Sequence, residues 1–313
     1  MARGPHARFW SALALVGAVG GCIQTPAPAR PPVFPASPAP PRPSAESDAM
    51  RDHLARVEAS FLDQGRLRTE TAPKDAPFTA RQLAENFLRI AFYDEFTVEN
   101  GGLVARRTAS HLRRWETPIR MAVTFGPTVP AGQQLADRSE IAHFARRLSQ
   151  LSGLPVTTTD RDATANFQVL ILAEDERRAA GAMVSRLSPQ MDPVALRSIT
   201  EMPRSTYCTV VALSPPGSDS YVQAVAVIRA EHPDRLRLSC IHEELAQAMG
   251  LANDSPAARP SIFNDDEEFA LLTSQDEMML RILYDRRLRT GMTESEARPI
   301  VETIAAELIG GDS

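Results

Sequence analysis

Lysine, internal repeats and long apolar runs are scarce in this chain of 313 residues. Lys74 is the only lysine beside 33 arginines, which we interpret as genome base composition rather than as a binding signal. The net charge is −5, and an acidic chain is a poor partner for nucleic acid, whose backbone is bound by basic side chains. No repeat and no second transmembrane segment accompany the single apolar run near the N-terminus. With 43% hydrophobic residues, the composition is that of a globular protein and excludes a fibre or a wholly disordered chain.

The first residues have the form of an export signal. Arg3 and Arg8 precede an apolar run over 9–19 that is too short to span a bilayer as a permanent helix. The run ends in VGGC at 19–22, which resembles the bacterial lipobox, where small residues precede a cysteine that is diacylated and becomes the new N-terminus. The resemblance implies a signal peptide over 1–21 and a lipid anchor on Cys22. An ordinary signal peptide with an incidental cysteine is the alternative.

A lipid anchor predicts where the protein resides. A Cys22 that is diacylated and also N-acylated would carry three acyl chains, which is more than the roughly two lipid signals that give stable membrane anchoring. Ile23 follows the cysteine, where an aspartate would resemble the inner-membrane retention signal, so we expect the outer membrane, facing the periplasm. The proline-rich stretch over 22–46 is predicted to be an extended tether.

Cys208 and Cys240 remain as an even pair once the lipid occupies Cys22. In an oxidising compartment such a pair is predicted to form a disulfide. Two buried free thiols are the alternative. A nucleophilic Cys240 with His242 as its base is a further alternative, but no other feature of a cysteine peptidase accompanies it.

The rest of the chain alternates helical and strand patterns. Apolar residues at helical spacing predict helices over 47–62 and from Thr79, within an N-terminal helical region over 47–98. A capping-box pattern over Asp137–Glu140 predicts the start of a helix that ends at Gly153. A helical insert is predicted over 175–202, and strands are predicted over 118–126, 165–174, 205–215 and 220–230. The fold predicted for residues 99–313 is α+β, a mixed sheet backed by helices.

One predicted helix, in the stretch CIHEELAQAMGLANDSP at 240–256, carries candidate site residues. Ser239 can cap a helix over Cys240–Met249, and Gly250 follows where a left-handed residue ends a helix. At about 100° per residue one face is apolar, whereas the other carries Cys240, Glu243, Glu244 and Gln247. A zinc-binding helix needs two ligands four residues apart and a carboxylate beside the first that takes a proton from bound water. Glu243 and Gln247 have the ligand spacing, and Glu244 has the position of the base.

The run EELAQAMGLAND resembles the metzincin form of the zincin peptidase signature, HExxHxxGLxHD. The signature is matched at Glu244, Gly250, Leu251 and Asp254, whereas its three ligand positions hold Glu243, Gln247 and Asn253. Downstream, Phe263 stands where a methionine-containing turn is expected. Together with AENFLRIAFYDEF, LRRWETPIRM and the two cysteines, the chain resembles over Phe61–Met292 a bacterial envelope family, the domain of unknown function numbered 2927. The resemblance implies a zincin-like fold more firmly than it implies a reaction.

An alternative alignment begins the signature at His242. The position four later is then Ala246, and His242 projects about 140° away from Gln247 around the helix. No histidine follows His242, so a three-histidine site from this segment is excluded.

The residues at the ligand positions decide which metal chemistry is expected. One carboxylate and two amide oxygens are a weak ligand set for zinc, which favours imidazole and thiolate. Calcium or magnesium accepts such oxygens more readily, and the acids of Asn264–Glu268 either add to them or form a solvated loop. No cofactor is therefore predicted, with zinc or another divalent cation as the alternative.

Two functions fit this sequence. The first is an envelope lipoprotein whose degenerate peptidase cleft binds a peptide, a cell-wall component or another envelope protein, with the strand Tyr221–Ala230 pairing with the extended ligand. The second is an active metal-dependent hydrolase or peptidase in which Glu244 is the general base. The sequence leaves open whether the chain is an enzyme.

Overall fold

The structure is a computed structural model that describes residues 41–99, 102–264 and 266–310. The predicted signal peptide, the predicted lipidation site Cys22 and the part of the predicted tether up to residue 40 lie outside the described residues. Within the described ranges, no helix is both long and apolar enough to cross a bilayer.

Helices and strands alternate along the chain. The helices are α1 (Ala45–Asp63), α2 (Ala80–Ala91), α3 (Ala131–Ser152), α4 (Glu174–Arg178), α5 (Gly181–Leu187), α6 (Pro193–Thr200), α7 (Asp234–Gln247), α8 (Ser274–Leu283) and α9 (Glu294–Gly310). The strands are β1 (Tyr93–Glu99), β2 (Gly102–Ala109), β3 (Arg114–Trp115), β4 (Ile119–Phe125), β5 (Val156–Thr158), β6 (Phe167–Leu172), β7 (Cys208–Leu213), β8 (Ser220–Tyr221) and β9 (Gln223–Arg229).

The central sheet has five strands in the order β5-β4-β6-β9-β7. β5, β4, β6 and β9 run parallel, whereas β7 is antiparallel to β9, with Val210 opposite Ala226. β4, β6 and β9 are apolar along most of their length because both faces of the sheet are covered. The predicted α+β class with a mixed sheet is confirmed.

The position of β9 corrects one expectation from the sequence. β9 is hydrogen-bonded to β6 on one side and to β7 on the other, so Tyr221–Ala230 is not an edge segment that could pair with a ligand. Its residues Ala224–Arg229 are buried, as expected for an interior strand. The antiparallel edge strand is β7.

Side chains alternate between the two faces of the sheet and build two apolar layers. On β6, Val169 and Ile171 face the larger core, to which α2, α3, α7, α8 and α9 contribute. Leu170 and Leu172 face a smaller cluster that is closed by Val184 of α5 and by residues of α6. The helical insert predicted over 175–202 is confirmed as α4, α5 and α6, and it covers this second face.

The two N-terminal helices pack on different parts of the molecule. α1 packs against α4, and Met50 and Leu54 share a cluster with Leu236 of α7. α2 begins at the predicted cap, where Thr79 and Gln82 form a reciprocal capping box, and it packs against α8 and α9. β1 and β2 form an antiparallel hairpin that was not predicted from the sequence. The boundary expected between the N-terminal helical region and the α+β domain, between residues 98 and 99, lies within β1.

Two predicted helix starts are wrong. α3 begins at Ala131 rather than at Asp137, although it ends at Gly153 with a left-handed φ of 72° as predicted. α7 begins at Asp234, so Ser239 lies buried within the helix and caps nothing. Both helices start directly after a proline, Pro130 and Pro233, and neither of these N-cap residues has a side-chain capping bond.

Candidate functional site

The helix α7 is anchored to the edge strand by a disulfide. Cys240, in the middle of α7, is bonded to Cys208, the first residue of β7, with a Cα–Cα separation of 5.9 Å. Cys240 is 2% exposed, whereas Cys208 is half-buried. The predicted disulfide is confirmed, and it holds the motif face of α7 against the antiparallel edge of the sheet.

Two acids of the motif lie beside this disulfide. The Sγ atom of Cys208 and one carboxylate oxygen from each of Glu243 and Glu244 lie within 4.8 Å of one another. Glu244, at the predicted position of the general base, is 4% exposed, and Glu243 is half-buried. The disulfide sulfur beside them is not a thiolate, and thiolate is the form of cysteine that binds metals.

Gln247 and Asn253 have other contacts in this structure. The side-chain amide of Gln247 donates to Asp254, with Nε2 and Oδ1 3.2 Å apart. The side-chain amide of Asn253 donates to the carbonyl of Arg89 at 2.9 Å, and its backbone N–H donates to the carbonyl of Ile90 at 3.1 Å. Asn253 is 3% exposed and satisfies carbonyl groups at the C-terminal end of α2.

These contacts bear on whether zinc fits the three ligand positions. Glu243 lies beside Cys208, Gln247 is bonded to Asp254, and Asn253 is bonded to α2. Amide groups are poor zinc ligands, and the amide of Asn253 already serves a structural hydrogen bond. The set of Glu243, Gln247 and Asn253 therefore does not fit a zinc ion.

The turn after α7 requires glycine. Gly250 has a φ of 126°, and a Cβ added there would lie 2.2 Å from the carbonyl oxygen of Arg113. The residue is therefore needed both for its backbone conformation and for its close approach to a neighbouring segment. The turn predicted at Gly250 is present.

Two aromatic donors bond the carbonyls that directly follow this helix. Trp115 Nε1 donates to the carbonyl of Ala248 at 2.8 Å, and the Tyr284 hydroxyl donates to the carbonyl of Met249 at 2.9 Å. Sequence reasoning did not assign these roles to Trp115 and Tyr284. A signal was present, because buried tryptophan and tyrosine side chains usually direct their polar atom to a partner.

His242 lies on the core side of α7, away from the acids. Its ring stacks on Phe144 with centroids 4.1 Å apart, Nε2 lies 3.3 Å from Glu140, and Nδ1 accepts from the backbone N–H of Leu272 at 3.2 Å. Burial lowers the pKa of His242, so the neutral ring with its proton on Nε2 fits both bonds. His242 is a structural residue in this position.

His232 is buried next to the disulfide between α7 and β7. It is 3% exposed, and its Nε2 lies 2.8 Å from the carbonyl of Tyr207 and 3.7 Å from Sγ of Cys240. Burial, together with the charges of Arg229 and Arg237, lowers the pKa of His232 to about 3. The ring is therefore neutral at physiological pH.

One acid of the segment Asn264–Glu268, Glu268, forms ion pairs with two arginines. Glu268 accepts from Arg259 at 2.6 Å and from Arg68 at 3.0 Å, and the bond from Arg259 lowers the pKa of Glu268. The side chain of Asn264 is buried and donates to the carbonyl of Ala258. Burial raises the pKa of Tyr207, and the charge of Glu267 raises it further, so this segment lies near the start of β7.

Comparison with known proteins identifies a family but no reaction. A family model described as "Protein of unknown function (DUF2927)" matches residues 80–303, which include α2 and most of α9. No curated protein and no solved structure gives a significant match to the chain.

Proposed function

Because the chain belongs to the DUF2927 family of proteins of unknown function, whose description names no reaction, we propose a function from the geometry of α7 and β7. We propose that the protein is a lipid-anchored envelope protein with a zincin-like domain. The domain would bind an extended polypeptide segment along β7 without cleaving it.

The observation that carries this proposal is the position of β7. β7 is the last strand of the sheet and antiparallel to β9, and no strand among the described residues pairs with its outer side. All six of its residues are half-buried. An edge strand presents main-chain N–H and C=O groups on its outer side, and an extended peptide can add to it through main-chain hydrogen bonds.

The surroundings of β7 support the same interpretation. The disulfide fixes the distance between β7 and α7, so a peptide on β7 would lie beside Glu243 and Glu244. A motif helix next to an antiparallel edge strand is the arrangement that a zincin-like cleft requires. The acids would favour a ligand that carries basic side chains, because opposite charges across an interface steer association.

The chemistry of the ligand positions supports binding without hydrolysis. A peptidase zinc site needs three ligands of suitable type around one ion. Here one position has a carboxylate, and the amides at the other two are bonded to Asp254 and to the carbonyl of Arg89. We therefore infer that the cleft was retained and the zinc chemistry lost.

The lipid anchor rests on the sequence VGGC at 19–22 and on the proline-rich tether. Replacing the acceptor, Cys22→Ser, should release the protein from membranes or block its processing, and labelled palmitate should no longer be incorporated. Fractionation that finds the unaltered protein soluble in the periplasm would contradict the anchor and the outer-membrane location.

The test of strand addition is hydrogen exchange. A library of short unstructured peptides is added to the protein, and amide exchange is measured along the chain. Binding should slow exchange over residues 208–213 and leave β5, the opposite edge, unchanged. Thr209→Glu on β7 should weaken binding, because charge on an edge strand opposes pairing, whereas Thr157→Glu on β5 is the matched control. Peptide binding with unchanged exchange over 208–213 would refute the proposal.

A metal-dependent hydrolase is the second candidate function. It is favoured by the two carboxylates of Glu243 and Glu244 near one point, with Glu244 buried at the position of a general base. Elemental analysis of the purified protein and a Glu244→Gln variant separate the two candidates. If Glu244→Gln abolishes a measured hydrolytic activity and the fold is retained, the binding-only proposal fails.

A further inference from the structure

A set of metal-ligating atoms in the site differs from the set that the zincin signature indicates. It consists of Sγ of Cys208 and one carboxylate oxygen each of Glu243 and Glu244, all within 4.8 Å of one another. Sγ of Cys240 is bonded directly to Sγ of Cys208. The sulfur of Cys208 and two carboxylates therefore meet between α7 and β7, and the sulfur of Cys240 is joined to this group through its bond to Cys208. Neither Gln247 nor Asn253 belongs to the group.

The oxidation state of the sulfurs decides what this group can bind. In the disulfide the sulfurs carry no charge, and two carboxylates alone are a poor zinc site. After reduction, the set would be two thiolates and two carboxylates, four ligands of the types that zinc accepts in a tetrahedral site. Ligand atoms of one zinc ion lie about 3.3 to 3.8 Å apart. Sγ of Cys208 and the two carboxylates would have to approach one another by about 1 Å, and the two sulfurs would have to separate by roughly 2 Å once their bond is broken.

We propose that reduction of the Cys208–Cys240 disulfide opens a zinc site formed by Cys208, Cys240, Glu243 and Glu244. The oxidised protein holds no zinc there, and the reduced protein binds one ion. The site is a redox-gated metal centre, and it does not depend on whether β7 binds a peptide.

The reaction balances with a dithiol as the reductant. One thiolate of the dithiol attacks Sγ of Cys208, the bond between the two protein sulfurs breaks, and Cys240 leaves as a thiolate. The second thiolate of the dithiol attacks the mixed disulfide, releases Cys208 as a thiolate and closes the reductant into a cyclic disulfide. Two electrons pass to the protein sulfurs, and Zn²⁺ then replaces the two protons that the thiols would otherwise hold.

Exposure and charge explain the order of these steps. Cys208 is half-buried on the edge strand, whereas Cys240 is 2% exposed, so Cys208 is the sulfur that a reductant can reach. Thiolates beside Glu243 and Glu244 are disfavoured by repulsion between like charges, which favours the disulfide when zinc is absent. Zinc offsets this repulsion, so zinc and reductant should act together: zinc increases the reduced fraction at a fixed dithiol concentration.

The experiment uses the full chain with Cys22→Ser, so that Cys208 and Cys240 are the only thiols. Oxidised protein and protein treated with a phosphine reductant are titrated with Co²⁺ and with Zn²⁺. We expect one metal ion per chain and a thiolate-to-cobalt charge-transfer band in the reduced protein, and neither in the oxidised protein. Glu243→Gln should weaken binding to the reduced protein by more than the about 10-fold that loss of an outer partner costs. Glu302→Gln, an exposed acid of α9, is the matched control and should not change the affinity.

Three results would overturn the proposal: a folded reduced protein that binds no metal, equal binding by the oxidised protein, or unchanged affinity in Glu243→Gln. If reduction unfolds the chain, added zinc must restore its near-UV circular dichroism, and failure to do so counts against the site. The Cys240→Ser variant provides Cys208 as a thiol without any reductant. It should bind Co²⁺ with a thiolate band, and absence of that band in the folded variant also overturns the proposal.

Discussion

The two ends of α7 are held by different kinds of contact. At the N-terminal end, the backbone N–H of Leu236 donates to the carboxylate of Glu58 in α1 at 2.8 Å. One residue later, Arg237 pairs with Asp137 of α3 at 2.8 Å, with both side chains less than a tenth exposed. At the C-terminal end, the neutral donors Trp115 and Tyr284 bond the carbonyls that directly follow the helix, and the chain turns at Gly250.

The N-terminal end of α7 is therefore stabilised by charged groups, whereas the C-terminal end is stabilised by neutral hydrogen bonds and close packing. The N-terminal end uses ionised groups from segments far away in sequence, so its stability should depend on pH, salt and the presence of each partner. The C-terminal end depends on two neutral hydrogen bonds and on a backbone contact that leaves no space for a side chain. The candidate site lies between these two ends, and changes at either end can displace it.

The largest expected effect is at the N-terminal end. Arg237→Met leaves the carboxylate of Asp137 buried without its cation, and breaking a buried pair costs about 3–5 kcal/mol of the free energy of unfolding. Burial already raises the pKa of Asp137, so part of the cost appears as proton uptake. Urea denaturation measures the loss. Arg178→Met, where the arginine side chain is 62% exposed, is the control and should cost less than about 1 kcal/mol.

At the C-terminal end, Gly250→Ala should cost about 3 kcal/mol. The added Cβ meets the carbonyl of Arg113, and the positive φ adds backbone strain. Gly153→Ala isolates the strain, because Gly153 also has a positive φ but a Cβ added there would meet nothing within 4 Å. That variant should lose about 1 kcal/mol. Equal losses in the two variants would show that contact with Arg113 does not matter.

A pH dependence should come from the N-terminal end, where the carbonyl of His232 accepts from Arg237. The pKa of His232 is about 3 in the folded protein, below its ordinary 6.5. Between these two pH values the unfolded chain binds a proton at His232 and the folded chain does not. The contribution of neutral His232 to the free energy of unfolding is fully present above pH 6.5 and is lost as the pH falls toward 3. At pH 5.5 the loss is about 1.4 kcal/mol.

Two variants isolate this contribution. The free energies of unfolding of wild type and His232→Gln are measured from pH 7 to pH 4.5. In the difference between the two proteins, the contributions of the other titrating groups cancel. Asp276, for example, has a pKa that burial raises to about 6, and it opposes His232 between pH 3.8 and 6 in both proteins. His53→Gln in α1 is the control. A difference between wild type and His232→Gln that does not change with pH would contradict the prediction.

The smallest expected effect is that of Glu58→Ala, about 1 kcal/mol. The carboxylate of Glu58 occupies the place of a helix cap although it belongs to another helix, and a lost cap costs about 0.5–2 kcal/mol. Part of the effect is electrostatic, so high salt should reduce it. Asp52→Ala, an exposed acid on the same helix, should leave stability nearly unchanged. Thermal unfolding at two salt concentrations checks both statements.

Local patterns were sufficient where a few neighbouring residues form an element. Thr79 and Gln82 cap α2 through their own backbone, Gly153 ends α3, and apolar runs become β4, β6 and β9. β5 escaped prediction because a three-residue strand has too short a pattern. The β1–β2 hairpin also escaped prediction, although Asn100-Gly101 between its strands is a strong hairpin signal in the sequence.

The candidate site was predictable only in part. The sequence indicated the turn at Gly250 and the disulfide between Cys208 and Cys240, and both are present. It did not indicate that α7 is buried on both faces, with Cys240 and Glu244 nearly inaccessible. It did not indicate that Glu243 and Glu244 lie near the sulfur of Cys208, because that proximity depends on where β7 pairs.

The sequence by itself determined the elements that are held by contacts within one turn or one strand. It also determined the disulfide pairing, since two cysteines remain once Cys22 is set aside. The tertiary structure decided how the first turn of α7 is satisfied, because the carboxylate of Glu58 lies 178 positions from the N–H that it accepts from. It also decided that β7 rather than β9 is the edge of the sheet. Strand order follows from how the helices pack on both faces, and the pattern within one strand does not contain that information.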